Sequence, residues 1–207
     1  MASLLSYALT DLASVKESLN LASSDHSKDN LIIRKINQAT RAIESYCGRR
    51  FQSTSYTQVE YAASQTDTLI LRQRPVTAFT SLEIRDSGLN INNWETIDPQ
   101  LYFIHNAAGV VDLMFNAFGR WNRYRVTYVA GYGTIPEDLA EACASLAAFY
   151  VNTAAGVHVA LATLKEGQRE QQYSRQLNTL NFYQIISQLG VNEIVDSYAN
   201  NPVLTDR

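Results

Sequence analysis

DNLIIRKINQATRAIESYCGRRF, residues 29–51, is the stretch from which the rest of the chain is read, because its start, apolar face and stop are all legible. Ile32, Ile36, Ile43 and Cys47, joined by Ile33, Ala39 and Tyr46, recur at steps of three and four residues. That spacing lines one side of an α-helix, and such a stripe has to be covered by other apolar surface. Asp29 offers a carboxylate to the unpaired N–H groups of the first turn, and Gly48 supplies the residue that most easily takes the left-handed conformation that ends a helix. Arg49 and Arg50 follow at the partially negative end, where cations are mildly favoured. From Phe51 onward the period changes.

Upstream, Leu12, Val15 and Leu19 make a narrower stripe in a short helix over 11–19, with Thr10 as its cap and Asp11 in its first turn. It reads as a lid on the second helix, reached through the small polar loop 22–30. Downstream come short β-prone runs: STSYTQVEY (53–61), TLILRQRPV (68–76) cut short by Pro75, 76–84 closed by Asp86, Ser87 and Gly88, and RYRVTYVAGY (123–132). LYFIH (101–105) and GVVDLMF (109–115) flank 106–109 as a hairpin. Their spacing predicts an antiparallel meander over 51–132 rather than strand-helix-strand crossovers. Pro136 then opens a third helix over 136–154, acidic at its start with Glu137, Asp138 and Glu141. Leu139, Cys143, Leu146, Ala147 and Tyr150 share one of its faces, so the second and third helices are expected to pack together.

After residue 155 the pattern weakens. Residues 165–178 are polar and Gln-rich, without a stripe wide enough to hold a core. Leu180, Phe182, Tyr183, Ile185, Ile186 and Leu189 then form a short amphipathic stretch ending at Gly190, and Asn192 is placed to cap another turn or two carrying Ile194, Val195 and Tyr198. A hydrophobic end on a polar tether is the pattern of an arm that docks elsewhere. The other reading is a C-terminal helix folded back on its own body. The expected class is α+β: a small helical bundle with an inserted antiparallel β module in a body over 1–155, and a C-terminal helical or extended arm over 156–207.

Composition narrows the function. The chain has 207 residues, of which 46% are hydrophobic and 18% charged, enough apolar surface for a folded core and few enough charges to suit a subunit covered by neighbours. A net charge of -3 gives no general basic field for gripping nucleic acid. Cys47 and Cys143 fall on apolar helical faces and read as buried thiols, while His26, His105 and His158 are scattered without metal-ligand spacing, so no metal or cofactor is expected. The N-terminal MASLLSYALTDL lacks the basic start of a secretory signal, so the protein is expected to be made and kept in a cytoplasm. Residues 142–164 hold no Asp, Glu, Lys or Arg, yet their Ala, Ser, Asn, Thr and His content fits a helix buried by protein better than a membrane span.

Reactive groups are sparse. GYGTIP (131–136) lies between a strand and a helix, but it lacks the third glycine and the parallel context of a dinucleotide turn, so it reads as a strand-to-helix turn. No serine or cysteine sits in a nucleophile elbow, and no paired carboxylates stand out. Arg34, Arg41, Arg49, Arg50, Arg72, Arg74 and Arg85 crowd the first half and suit either phosphates or acidic protein surfaces, without interleaved stacking aromatics.

Three stretches, in order, resemble one family. AIESYCGRRF (42–51), LRQRPVTAFTSLEI (71–84) and RVTYVAGYGTIPEDLAEACASLA (125–147) resemble the second-helix end, the arginine-proline strand and the last strand with third helix of the head-tail connector (adaptor, or head-completion) proteins of tailed bacteriophages. The resemblance implies a structural, non-enzymatic virion protein at the neck. It would form a dodecameric ring with copies of itself, dock on the portal, extend the DNA channel without reading sequence, and present a platform for a stopper or tail-completion protein. It further implies that the arm reaches the portal through Leu180, Phe182, Tyr183, Ile186, Leu189, Ile194 and Tyr198. The alternative from the arginines is a DNA-binding or packaging accessory protein of a phage.

Overall fold

The computed structural model describes residues 2–61, 68–85, 94–114, 123–154 and 181–199. The chain divides into two units, a helical one from 1–48 with 135–207 and a β-rich one from 49–134.

The helical unit comprises α1 (Leu12–Ser18), α2 (Asp29–Cys47), α3 (Glu137–Ala154), α4 (Phe182–Gln188) and α5 (Asn192–Tyr198). The stripe on α2 is covered as its spacing predicts: Ile32, Ile36, Ala39, Ile43 and Cys47 are buried, with Tyr46 at the rim. Fully burying an isoleucine side chain contributes about 2 to 3 kcal/mol, so this row is a principal source of the unit's stability. The facing surface is α3, whose Leu139, Cys143, Leu146 and Ala147 are buried while Tyr150 is half-buried. Thr40 Oγ1 and Cys143 Sγ lie 3.8 Å apart where the two helices meet. Ala142, Ala144, Phe149 and Val151 are buried as well, so α3 is covered on more than one side, which accounts for its lack of charge after Glu141.

Two caps differ from expectation. Asp11, not Thr10, caps α1: its Oδ1 accepts the Ser14 N–H at 2.8 Å, and that bond holds the Asp11 carboxyl below the usual carboxylate range. Asp29 does not cap α2, because its carboxylate is taken by Lys16 Nζ at 2.6 Å and by His26 Nδ1 at 2.7 Å. Lys16 is buried and also donates to Ser23 O, so a lysine on the lid helix is fixed to the start of α2. Ahead of α1, residues 2–9 run along α2 and are held by its polar side: the N–H groups of Ala2, Leu5 and Leu9 donate to Asn30, Asn37 and Thr40.

Among its described residues the β-rich unit has seven strands: β1 (Thr54–Tyr61), β2 (Thr68–Ile70), β3 (Val76–Arg85), β4 (Glu95–Thr96), β5 (Tyr102–His105), β6 (Val110–Leu113) and β7 (Arg123–Ala130). All pairings between these strands are antiparallel, as expected, but the order is not a meander. One sheet runs β1-β7-β3-β4 and the other β2-β6-β5, so the first strand pairs with the last. The physical reason lies in β7, where Tyr124, Val126, Tyr128 and Ala130 are all buried and the strand takes a central place. Leu69, Val111 and Leu113 of one sheet and Val76, Leu82 and the β7 residues of the other share a single core. The 106–109 turn forms the expected hairpin, with Gly109 left-handed and its N–H bonded to His105 O at 2.8 Å. Asp86, Ser87 and Gly88 lie outside the described residues.

Gln58 ties the two sheets. Its Nε2 donates to Ile70 O, and its Oε1 accepts from Arg72 N–H and Tyr128 O–H, each at 2.9 Å. The unit is closed where its ends run alongside each other: Tyr132 N–H donates to Phe51 O at 2.7 Å and Ser53 N–H to Tyr132 O at 3.0 Å. Gly131 makes this approach possible. Its φ is +109°, and a Cβ there would lie 2.7 Å from Phe51 O and from Gln52 C and O.

Two substitutions test these arrangements. Gln58→Leu removes three bonds from a buried site and is expected to lower stability by about 2 kcal/mol in urea unfolding. Gly131→Ala meets both a strained backbone and a backbone clash, and is expected to destabilise more than Gly190→Ala, where a Cβ has open space, in a parallel thermal melt.

Candidate functional site

With few reactive groups to follow, the candidate site is the surface built around the C-terminal helices. Asn181 starts α4 with a reciprocal cap: its Oδ1 accepts the Gln184 N–H at 2.9 Å, and Gln184 Oε1 accepts the Asn181 N–H at 3.0 Å. Gly190, at φ 71°, turns the chain directly into α5. The residue before α5 is Val191, which has no capping side chain, so Asn192 is the first helical residue and not the cap.

Each helix contributes one fully buried anchor, Ile186 and Val195. Around them sits a polar and aromatic seam. Tyr46 O–H donates to Asp196 Oδ1 at 2.5 Å, and its ring packs on Phe182 with centroids 5.1 Å apart. Cys47 Sγ donates to Val195 O at 3.6 Å, and Tyr198 O–H reaches the Asp138 carboxylate at 2.9 and 3.1 Å from its two oxygens. The bond to Asp196, helped by desolvation, pushes the Tyr46 phenol up to about 12, because ionising it would set two negative charges against each other.

The sequence grouped seven residues as a docking face, and the structure distributes them. Leu180 lies outside the described residues. Ile186 is inside the helical unit, Phe182 is half-buried against Tyr46, and Tyr198 is committed to Asp138. Leu189 and Ile194 are partly exposed, and Tyr183 stands out at 48%. The described part of the segment set apart as an arm, 181–199, belongs to the helical unit. No sequence signal pointed to Tyr46 and Asp138 as its partners, because a tyrosine at a stripe's rim and an aspartate in a first turn both have ordinary explanations there.

The remaining groups are occupied structurally. Burial pushes the Cys143 thiol up to about 12, so it stays protonated and is no nucleophile. In the 131–136 turn, Gly131 N–H is bonded to Pro75 O and Tyr132 N–H to Phe51 O, which leaves those donors unavailable to a phosphate. Arg49 is buried, donates to Arg74 O at 3.1 Å and stacks on Phe51, while Arg125 pairs with Glu83 and, with Arg85, brackets the Trp94 ring. The crowded arginines therefore belong partly to the interior of their own unit. Among the described residues there is no group of three or more His, Cys, Asp and Glu placed to hold a metal, and no helix is long and apolar enough to cross a membrane.

A family model described as head completion protein matches residues 8–158, which take in α1, the whole β-rich unit and α3. No curated protein matches the chain. Among solved structures, a chain from the neck of an empty gene transfer agent particle computed with C6 symmetry matches with a TM-score of 0.57 at 16% identity, covering 99% of this chain and 96% of that one. A chain from the neck of the native particle computed with C12 symmetry gives 0.55 at 16% identity, covering 100% and 99%. A chain from the virion of the native particle gives 0.57 at 15% identity, covering 98% and 95%. At these identities the likeness is one of fold.

The seam around Tyr46 makes a pH prediction. A phenol whose pKa is raised on folding stabilises the docked helices fully below its unfolded value near 10, and that contribution is lost as pH rises through about 12. Ultraviolet titration is expected to show Tyr46 ionising late together with the other tyrosines that burial raises, Tyr102, Tyr128 and Tyr150, and Tyr46→Phe is expected to shrink the late step by one tyrosine's share. The same variant keeps the ring on Phe182 and is expected to cost about 1 kcal/mol in thermal unfolding, less than Tyr46→Ala.

Proposed function

Because the chain belongs to the head completion protein family, we propose that it is a structural subunit of the head-tail connector in the neck of a phage-type particle. The carrying observation is the family match over 8–158, which covers α1, α2, the inserted β-rich unit and α3. The fold likeness to neck chains, nearly complete along both partners, supports the same reading, and the cyclic symmetries of those necks support a ring.

In this reading the subunit docks with its copies on the portal, extends the channel through which DNA passes, and gives a stopper or tail-completion protein a surface to join. It works by contact and not by catalysis. A ring built from head-to-tail contacts needs two different faces on each subunit. Repetition of a modest portal contact around the ring multiplies its hold, so no single contact needs to be strong. The portal contact falls to the C-terminal helices, through Tyr183, Leu189 and Ile194 on their outer side, while Ile186 stays inside and fixes their position. Arginines engaged within the β-rich unit suit a channel that lets phosphates pass instead of holding them.

The test is capture on purified portal. Full chain carrying Tyr183→Asp and Leu189→Asp is expected to lose at least tenfold in portal association while melting within a few degrees of the unaltered chain. Unchanged capture would refute the assignment of α4 and α5 to the portal.

A further inference from the structure

We propose that the outer face of the β2-β6-β5 sheet is a docking surface for a second copy of this chain, taken up by that copy's acidic helical unit. The proposal rests on the ring reading above and assigns one of the two faces that reading requires.

The register places the residues. Thr68 and Phe103 pair with Asp112, and Ile70 and His105 pair with Val110, so these six side chains share one face. The alternate rows, Leu69-Val111-Ile104 and Leu113-Tyr102, turn inward and belong to the core. On the outer face Ile70 is 71% exposed and Phe103 52%. At the end of the sheet, where Met114 N–H donates to Leu101 O, Met114 is 65% exposed and Leu101 42%. Four of the seven exposed large hydrophobics among the described residues therefore gather on one three-stranded sheet.

An antiparallel sheet with one packed face ordinarily turns polar side chains to water. Here the ionisable groups of the outer face are His105 and Asp112, and they satisfy each other at 2.8 Å, with Thr68 Oγ1 also on Asp112 at 3.1 Å. Phe103 sets its ring edge-on to His105 at 4.9 Å. A self-satisfied pair in apolar surroundings loses little when water is excluded, which is the composition of the centre of a protein interface and not of its rim.

Charge argues that the occupant is the helical unit of another copy. Residues 49–134 carry eight Lys and Arg against seven Asp and Glu, whereas 1–48 with 135–207 carry nine against thirteen. The excess acid is displayed on exposed Glu137, Asp138, Glu141, Glu193 and Asp196 of α3 and α5. The sheet face ends at a basic side: Leu71 N–H is bonded to Gly109 O, and Arg72 and Arg74 follow, with Arg74 Cβ 3.2 Å from where a Gly109 Cβ would stand. Contact between unlike units of two copies is thus attractive, and contact between two helical units is repulsive. That bias selects head-to-tail association, the geometry that closes a ring.

The experiment places a photo-crosslinking benzoylphenylalanine at Ile70 or Phe103 of the full chain, irradiates assembled particles and maps the linked peptides by mass spectrometry. Links to 137–141 of a second copy, the acidic start of α3, are expected. In parallel, Phe103→Asp with Met114→Asp, and separately Ile70→Lys, alter residues more than half exposed, so each is expected to melt like the unaltered chain while its incorporation into rings falls at least tenfold. Copies that link to each other only through other surfaces, with all these variants entering rings normally, overturn this face and leave the ring reading intact. Links only to a different protein overturn it equally. A chain present in the particle as isolated monomers defeats the ring reading, and this proposal with it.

Discussion

The burial of one isoleucine stripe against one alanine-rich helix constrains most of this molecule. α2 and α3 cover each other, yet 49–134 stand between them in sequence. A chain that leaves α2 at Gly48 must return to α3 from nearby, and the inserted unit meets that demand by running 51–53 beside 131–132. Gly131 is the residue on which this closure depends, because the two backbones pass too closely for any side chain. The long-range pairing of β1 with β7 follows from the same requirement: strands next to the two ends of an insertion are the ones that closure brings together.

How much of this was legible in the sequence depended on whether the controlling interaction was local. The stripe and the C-terminal end of α2 could be read, since the apolar spacing and the left-handed Gly48 are both local, whereas its start could not, because Asp29 is taken by Lys16 from another helix; α3 was legible in the same way. The strands could be found because alternation and turn residues are local as well, but their order could not, because every antiparallel order satisfies the same alternation and β7 wins the centre only in competition with the others. Lys16 illustrates the same limit. A lysine on a short exposed-looking helix is ordinarily a solvated charge, and its burial beside Asp29 emerges only once α1 is laid on α2. Gln58 was likewise invisible, a polar residue in a polar strand until two sheets close over it. The two C-terminal helices were legible as helices, whereas their seat was not, because Tyr46 and Asp138 are far from them in sequence and each has a local reason to be where it is.

Several polar groups among the described residues, at the rim and in the interior, are engaged in positioning backbone and side chains. Tyr46 is kept protonated by a neighbouring carboxylate, Cys143 by burial, and Arg49 is spent on a carbonyl and an aromatic ring. Each arrangement removes a reactive or phosphate-binding possibility and adds rigidity. Among the described residues, the apolar area left on the outside includes the edge of α4 and the outer face of the small sheet.

Those two surfaces have different mechanical character. The small sheet is backed by the shared core of the β-rich unit, so it presents a fixed face. The pair α4 and α5 is two helices of seven residues each, held by one buried side chain apiece and a seam of tyrosine-carboxylate bonds at partly exposed sites. Helices this short have little stability of their own and owe their structure to what they pack on. Elements at the low end of local stability are the ones that can be rearranged at modest free-energy cost. The connector role proposed above has use for both kinds, since identical neighbours require a contact whose geometry repeats without variation, whereas a junction with a different protein benefits from an element that adjusts its seat as it is covered.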